Sequence, residues 1–175
     1  MMRGKWKVAA LAAALIVIAS SALWYFESPL WTLKGMKDAA RSHDADALNA
    51  YIDYPALRDS LKSEMMARMM VEARKDKSGF GALGMAVGSA VVGPMIDGLV
   101  SPAGMRAALL ANRQENGPAA ASALHVPEKP VIVRRDFSEF LVTAKDHPDS
   151  GLVFKRHGLS WMLSGVELPP ADSAS

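Results

Sequence analysis

The feature that most constrains this chain is a run of nineteen uncharged, mostly apolar residues, Val8 to Phe26 (VAALAAALIVIASSALWYF), preceded by Arg3, Lys5 and Lys7. A short basic segment followed by an apolar one is the grammar of an export signal. As a helix the run spans about 28 Å at 1.5 Å per residue, close to the thickness of a bilayer core. Trp24, Tyr25 and Phe26 end it with amphipathic rings that favour the headgroup layer, and Glu27-Ser28-Pro29 is expected to close the helix. The positive segment keeps the N-terminus cytoplasmic. Residues 1–27 are therefore expected to be a signal anchor, giving a bacterial inner-membrane protein with a single N-terminal span and its domain in the periplasm. Ala19-Ser20-Ser21 and Ser20-Ser21-Ala22 offer small residues at signal-peptidase spacing, so a cleaved signal peptide and a soluble periplasmic domain remain the alternative.

The formal charge of +2 and the basic pI invite a nucleic-acid reading. The N-terminal segment creates both, since residues 27–175 hold 17 of the 20 Lys and Arg against all 18 Asp and Glu. A nearly neutral domain has no basic excess with which to release counterions from a phosphate backbone, so no nucleic-acid partner is expected. The absence of cysteine excludes disulfides, thiolate chemistry, cysteine-ligated zinc and lipid attachment through an N-terminal cysteine. Stability has to come from an apolar core, and half the residues are hydrophobic.

Beyond the apolar run, residues 28–169 read as a single α+β domain: helices over 29–115, a linker over 116–130 and antiparallel strands over 131–167, with 170–175 as a disordered tail. Ser28-Pro29 is expected to start the first helix, with a hydroxyl for the cap and proline in the first turn, and Leu30, Leu33, Met36 and Ala40 follow at helical spacing. Asp44 caps a second, with Ala47, Leu48, Tyr51 and Ile52 on one face. Asp53-Tyr54-Pro55 opens a third, in which Leu57, Leu61, Met65 and Met69 recur every four residues as a core seam. Phe80 to Ile96 carries no charge and places Gly81, Gly84 and Gly88 on one stripe, a small-residue pattern familiar from membrane spans. Four glycines, Pro94 and its modest length argue for a buried or closely packed helix instead. Ser101-Pro102 repeats the cap-plus-proline start.

After the Pro/Ala-rich stretch 116–130 the periodicity turns to two. Val131-Ile132-Val133 is a β-branched run, Phe140, Val142 and Ala144 alternate, and residues 146–151 are dense in turn formers. A two-residue turn at His157-Gly158 would set Phe154 opposite Trp161 and Leu152 opposite Leu163, one apolar face for the helices to cover. Helices first and an antiparallel meander last make an α+β arrangement.

No catalytic, cofactor-binding or metal-binding set emerges. His43, His125, His147 and His157 form no ligand pair of the HxxxH or HExxH kind, and Asp44 beside His43 already has a capping role. No nucleophile elbow, phosphate loop or dinucleotide fingerprint is present. A binding or interaction domain for an apolar or lipid ligand, or for an envelope protein, is the expected function, with the inner membrane as partner through residues 8–26. An enzyme with a small-molecule pocket between helices and sheet is the alternative, with Asp53, Arg58 or His157 as its polar groups.

The blocks HDADALNAYIDYPALRDSLK (43–62), GALGMAVGSAVVGPMIDGLVSPAGM (81–105) and GLVFKRHGLSWMLSGVELP (151–169), with Ser28-Pro29 and Trp31 after the apolar segment, resemble the bacterial family catalogued as domain of unknown function 2939. The resemblance implies a membrane-associated or exported protein and carries no catalytic residues with it. Helices on a curved antiparallel sheet would also be similar to cone-shaped ligand-binding folds of the nuclear transport factor type, by analogy alone.

Overall fold

The computed structural model describes residues 2–75, 81–112 and 130–169. The fold is α+β, as expected. Five helices, α1 (Met2–Arg41), α2 (Ala45–Asn49), α3 (Tyr54–Lys75), α4 (Gly81–Leu99) and α5 (Pro102–Asn112), precede four strands among the described residues. The strands, β1 (Pro130–Arg134), β2 (Glu139–Ala144), β3 (His147–His157) and β4 (Ser160–Glu167), pair in sequence order as an antiparallel meander. The linker expected over 116–130 lies outside the described residues apart from Pro130, which begins β1; His125 and the tail 170–175 also lie outside.

The first correction concerns Ser28-Pro29. The expected break does not occur, and α1 runs unbroken from the apolar segment into the domain with Pro29 inside it. An interior proline removes one backbone bond and crowds the preceding turn, at about 3 kcal/mol. The ring of Pro29 is fully buried, which offsets part of that cost. Cap-plus-proline is a local signal, and here a tertiary contact overrides it. Where no such contact competes, the same reasoning holds. Asp44 accepts from the Ala47 amide (2.9 Å), Asp53 from the Ala56 amide (3.2 Å), and the Ser101 hydroxyl from the Gly104 amide (3.0 Å), each satisfying a donor at a helix start.

The core lies between α1–α3, α5 and one face of the sheet. Phe140 and Phe154 stack with centroids 4.9 Å apart, and Trp161 meets Phe140 edge-on at the same distance. Leu33 and Met36 of α1, Leu48, Ile52, Leu57 of α3 and Met105 of α5 close over these rings. Leu57 has no exposed surface, and its burial contributes about 2 kcal/mol. The methionine seam of α3 continues Leu57 and Leu61 only in part. Met65 and Met69 are half-buried, and the Met69 sulfur lies against Gly88 of α4.

The last hairpin keeps the expected faces with a shifted register. His157 pairs with Ser160, so the turn is Gly158-Leu159, Phe154 lies opposite Leu163, Arg156 opposite Trp161 and Leu152 opposite Val166. Gly158 has φ +62° and Leu159 does not share the left-handed region, which fits the type II′ turn with glycine first. The slip is two at Phe154 and three at Leu152, where an irregularity next to Val153 adds one residue to β4, and the four apolar residues still share the buried face. The turn formers at 146–151 also read differently: Lys145-Asp146 makes the turn and β3 begins at His147. Ala144 pairs with His147 and Thr143 with Gly151, so Pro148 sits in the intervening bulge, where its missing N–H costs no ladder bond.

The other face of the sheet is buried as well, and Ser60 of α3 reaches it at the β4 edge, against Gly165. Leu141, Thr143 and Val153 alternate with Phe140, Val142 and Phe154, point away from the helical layer, and are nevertheless buried. Arg135, just past β1, forms two parallel bonds of 2.5 and 2.6 Å to the Glu167 carboxylate at the end of β4, although β1 and β4 are not neighbours. The sheet therefore curls enough for these two side chains to meet across that face.

Tyr54, at the start of α3, donates to the Asn49 side chain, and burial pushes its phenol up to about 12 from 10. The folded state holds this proton more tightly than the unfolded one. Its contribution is complete below pH 10 and is lost as pH rises from 10 towards 12. The difference between wild-type and Y54F ultraviolet titrations at the phenolate band should have its midpoint near 12; a midpoint at the ordinary value of 10 contradicts this account.

Candidate functional site

The polar residues singled out from sequence come together only in part. Asp53 Oδ2 lies 3.1 Å from His157 Nε2, joining the α3 start to the β3–β4 turn. The other carboxylate oxygen of Asp53 caps α3, so the group has a structural task. Arg58 turns away, its Nε donating to the Tyr54 carbonyl one turn back at 3.1 Å. Among the described residues, the helix–sheet interface where a pocket was expected is filled by Leu57, Phe140, Phe154, Trp161 and Leu163. His43 occupies the left-handed region (φ 57°) just past α1, where its amide bonds to the Ala40 carbonyl, a helix-ending role. No group of three or more His, Asp or Glu is placed to hold a metal among the described residues.

The more distinctive arrangement surrounds Trp161, where α1 meets the sheet. The indole Nε1 donates to the Ser28 hydroxyl at 2.9 Å, and Thr32 Oγ1 donates to the Ser28 carbonyl at 3.1 Å. The Arg156 guanidinium lies 5.6 Å from the Trp161 ring centre, and its Nε donates to the Gly158 carbonyl. Pro29 is buried beside this junction, whereas α1 is bare further back: Leu15, Ile16, Val17 and Ile18 are 59–65% exposed. Four successive residues at 100° each cover most of the helix circumference, so the uncovered surface extends around the helix.

A second apolar surface lies on α4. Val87, Val91, Met95 and Leu99 recur every four residues and are all exposed, with Leu110 of α5 exposed as well. Of the expected buried or closely packed helix, the packing holds and full burial does not. α4 packs on α3 through one side, marked by Gly88 against Met69 and by the Lys62–Asp97 ion pair at 2.7 Å, and leaves an apolar stripe uncovered. Among the described residues no single helix is long and apolar enough to cross a membrane. Gly84–Leu99 and Pro102–Ala111, bent by 76°, reach that length and composition only together.

The family model described as Protein of unknown function (DUF2939) matches residues 18–108, more than half of the chain. The chain belongs to the DUF2939 family. The match takes in the end of the apolar run, α2–α4 and most of α5, and so includes two of the three sequence blocks that suggested the family. The third, at 151–169, lies in β3 and β4 beyond the matched residues. Searches of curated proteins and of solved structures return no match. Within the part of this DUF2939 protein that the family model covers, Ser28 bonds to Trp161 outside it, as Asp53, Ser60 and Arg68 do to His157, Val166 and Pro169.

Local sequence signals do not reach the junction, because Ser28 and Trp161 are 133 positions apart. A buried indole usually places its N–H on an acceptor, and that is the clue Trp161 offers. The S28A and W161F single and double variants of the full chain, unfolded thermally in detergent, should show a coupling of about 1 kcal/mol. Additive effects would mean that the bond does not hold the junction.

Proposed function

We propose that this protein is a membrane-anchored extracytoplasmic domain that binds rather than catalyses, with residues 8–26 as the anchor and the α4 stripe as the surface for an envelope protein. The observation that carries the anchoring half is the apolar stretch of α1, exposed around its circumference at residues 15–18, in the same continuous helix that enters the core from Pro29 onward. A helix apolar on all sides finds a matching environment in lipid. The basic residues before it favour an N-terminus in the cytoplasm, which puts the domain in the periplasm.

Position supports a protein as the occupant of the α4 stripe. α3 is capped by Asp53, beside the β3–β4 turn, then passes Val166 at Ser60 and Pro169 at Arg68, moving steadily away from the end where α1 enters. Gly88 lies beside Met69, about 24 Å along α3 from Asp53. α4 then runs back along α3 to the Lys62–Asp97 pair, about 14 Å from Asp53, so the Val87 end of the stripe stands well away from the entry point of α1 and the Leu99 end nearer to it; its regular four-residue spacing suits a partner helix or groove.

Alkaline extraction of membranes should leave the full chain in the pellet, and release into the soluble fraction would sink the anchoring half. V91D/M95D should stay membrane-bound with a melting temperature within a few degrees of wild type, since both residues are exposed, yet fail to complement a deletion strain. H157A and D53N, the latter keeping a capping side chain, should complement fully. The reverse pattern would favour an enzyme built on the Asp53–His157 pair.

A further inference from the structure

The antiparallel meander places the β1–β2 and β3–β4 turns at one end of the sheet and the β2–β3 turn at the other. Both turns at the first end carry a large apolar residue into solvent: Phe137 is 81% exposed and Leu159 is 75% exposed. This end is also where α1 enters. The Arg156 amide donates to the Ser138 carbonyl, Arg156 pairs with Trp161, and Trp161 bonds to Ser28. Two strand spacings, about 10 Å, therefore separate the β1–β2 turn from the Trp161 junction. Ser28 is only two residues, about 3 Å of helix rise, past the end of the apolar run. On α1 itself Leu30 and Trp31 follow directly, 50% and 74% exposed. Four exposed apolar side chains thus gather within a short distance of where the helix leaves the domain, and the Ser28–Trp161 bond fixes the helix to that end of the sheet.

We propose that Phe137 and Leu159, with Leu30 and Trp31 of α1, dip into the headgroup and upper acyl layer of the bilayer that α1 crosses, so that the domain stands on the membrane with these two turns downward. This rests on the anchoring reading above and specifies the orientation that follows from it. Aromatic and branched apolar tips are suited to the interfacial layer, where burying Phe or Leu surface is favourable without full insertion. Charge plays the smaller part. Arg135 and Lys155 pair with Glu139, Arg135 also pairs with Glu167, and Asp136 is held ionised within its turn by the Ser138 amide, so the docking depends weakly on salt and on anionic lipid.

The chain has no cysteine, so single labels can be placed without other changes. Full-length F137C, L159C, D149C and L15C, each carrying an environment-sensitive fluorophore, are reconstituted into vesicles of equal parts phosphatidylcholine and phosphatidylglycerol and quenched with lipid spin-labelled in the headgroup region (137, 159 and 149) or in the mid-acyl chain (15), or with aqueous iodide. Labels at 137 and 159 should be quenched by lipid roughly twofold or more beyond the label at 149, in the bulge at the opposite end, and should resist iodide in both low and high salt. Labels at 137 and 159 that behave like 149, while 15 is quenched by lipid, overturn the proposal and leave the anchor standing. A label at 15 that lipid does not quench removes the anchor and this proposal with it.

Discussion

The hydrogen bond between Trp161 and Ser28 sits where every layer of the molecule meets. Trp161 belongs to the aromatic cluster with Phe140 and Phe154, so the core fixes its ring, and that ring in turn fixes the position of α1. Pro29 next to Ser28 is tolerated within a continuous helix because it is packed into that core. Removing the contact would leave α1 joined to the domain mainly by Leu33, Met36 and Ala39 further along. An apolar helix on one side and a folded domain on the other thereby form one piece at this point.

What the sequence made legible was local. Asp44, Asp53 and Ser101 cap helices because each offers an acceptor within three residues of the amide it serves, and the alternation of Phe140, Val142, Leu152 and Phe154 announced the buried face. The same local grammar misled at Ser28-Pro29, where the decisive partner lies in the last strand. The β3–β4 register differed because both His157-Gly158 and Gly158-Leu159 are plausible turns by composition; the φ of Gly158 shows which position the glycine takes. The α4 segment was legible as a helix, but its exposed side was not, since an all-apolar sequence with scattered glycines has no polar face to mark solvent. Of the polar residues singled out, Asp53 and His157 meet while Arg58 is occupied by its own helix backbone.

The sheet buries both of its faces, although among the described residues the helices pack mainly on one. Curling brings Arg135 to Glu167 across the face that carries the buried Leu141, Thr143 and Val153. Surface ion pairs of this exposure contribute about 1 kcal/mol or less, so the pair is best understood as a clasp on a curvature that packing produces. Lys155 and Glu139 extend the same polar group along the face. Arg135, Glu139, Lys155 and Glu167 thus form one group of charges on that face, whereas exposed apolar surfaces lie on α1, on α4 and at the turns.

The isolated bridge between Ile52 and Leu163 has a consequence for how the molecule keeps to itself. β4 is an outer strand, and an outer strand offers a row of free amides and carbonyls to any passing chain. At Leu163 both are already taken, its amide by the Tyr51 carbonyl and its carbonyl by the Asp53 amide. Three residues of connecting chain thus act as a plug in the middle of that edge. A protein held at high local density in two dimensions, as an anchored one would be, meets its own copies constantly, and blocking the centre of an edge strand is an economical guard against sheet-to-sheet fusion among them.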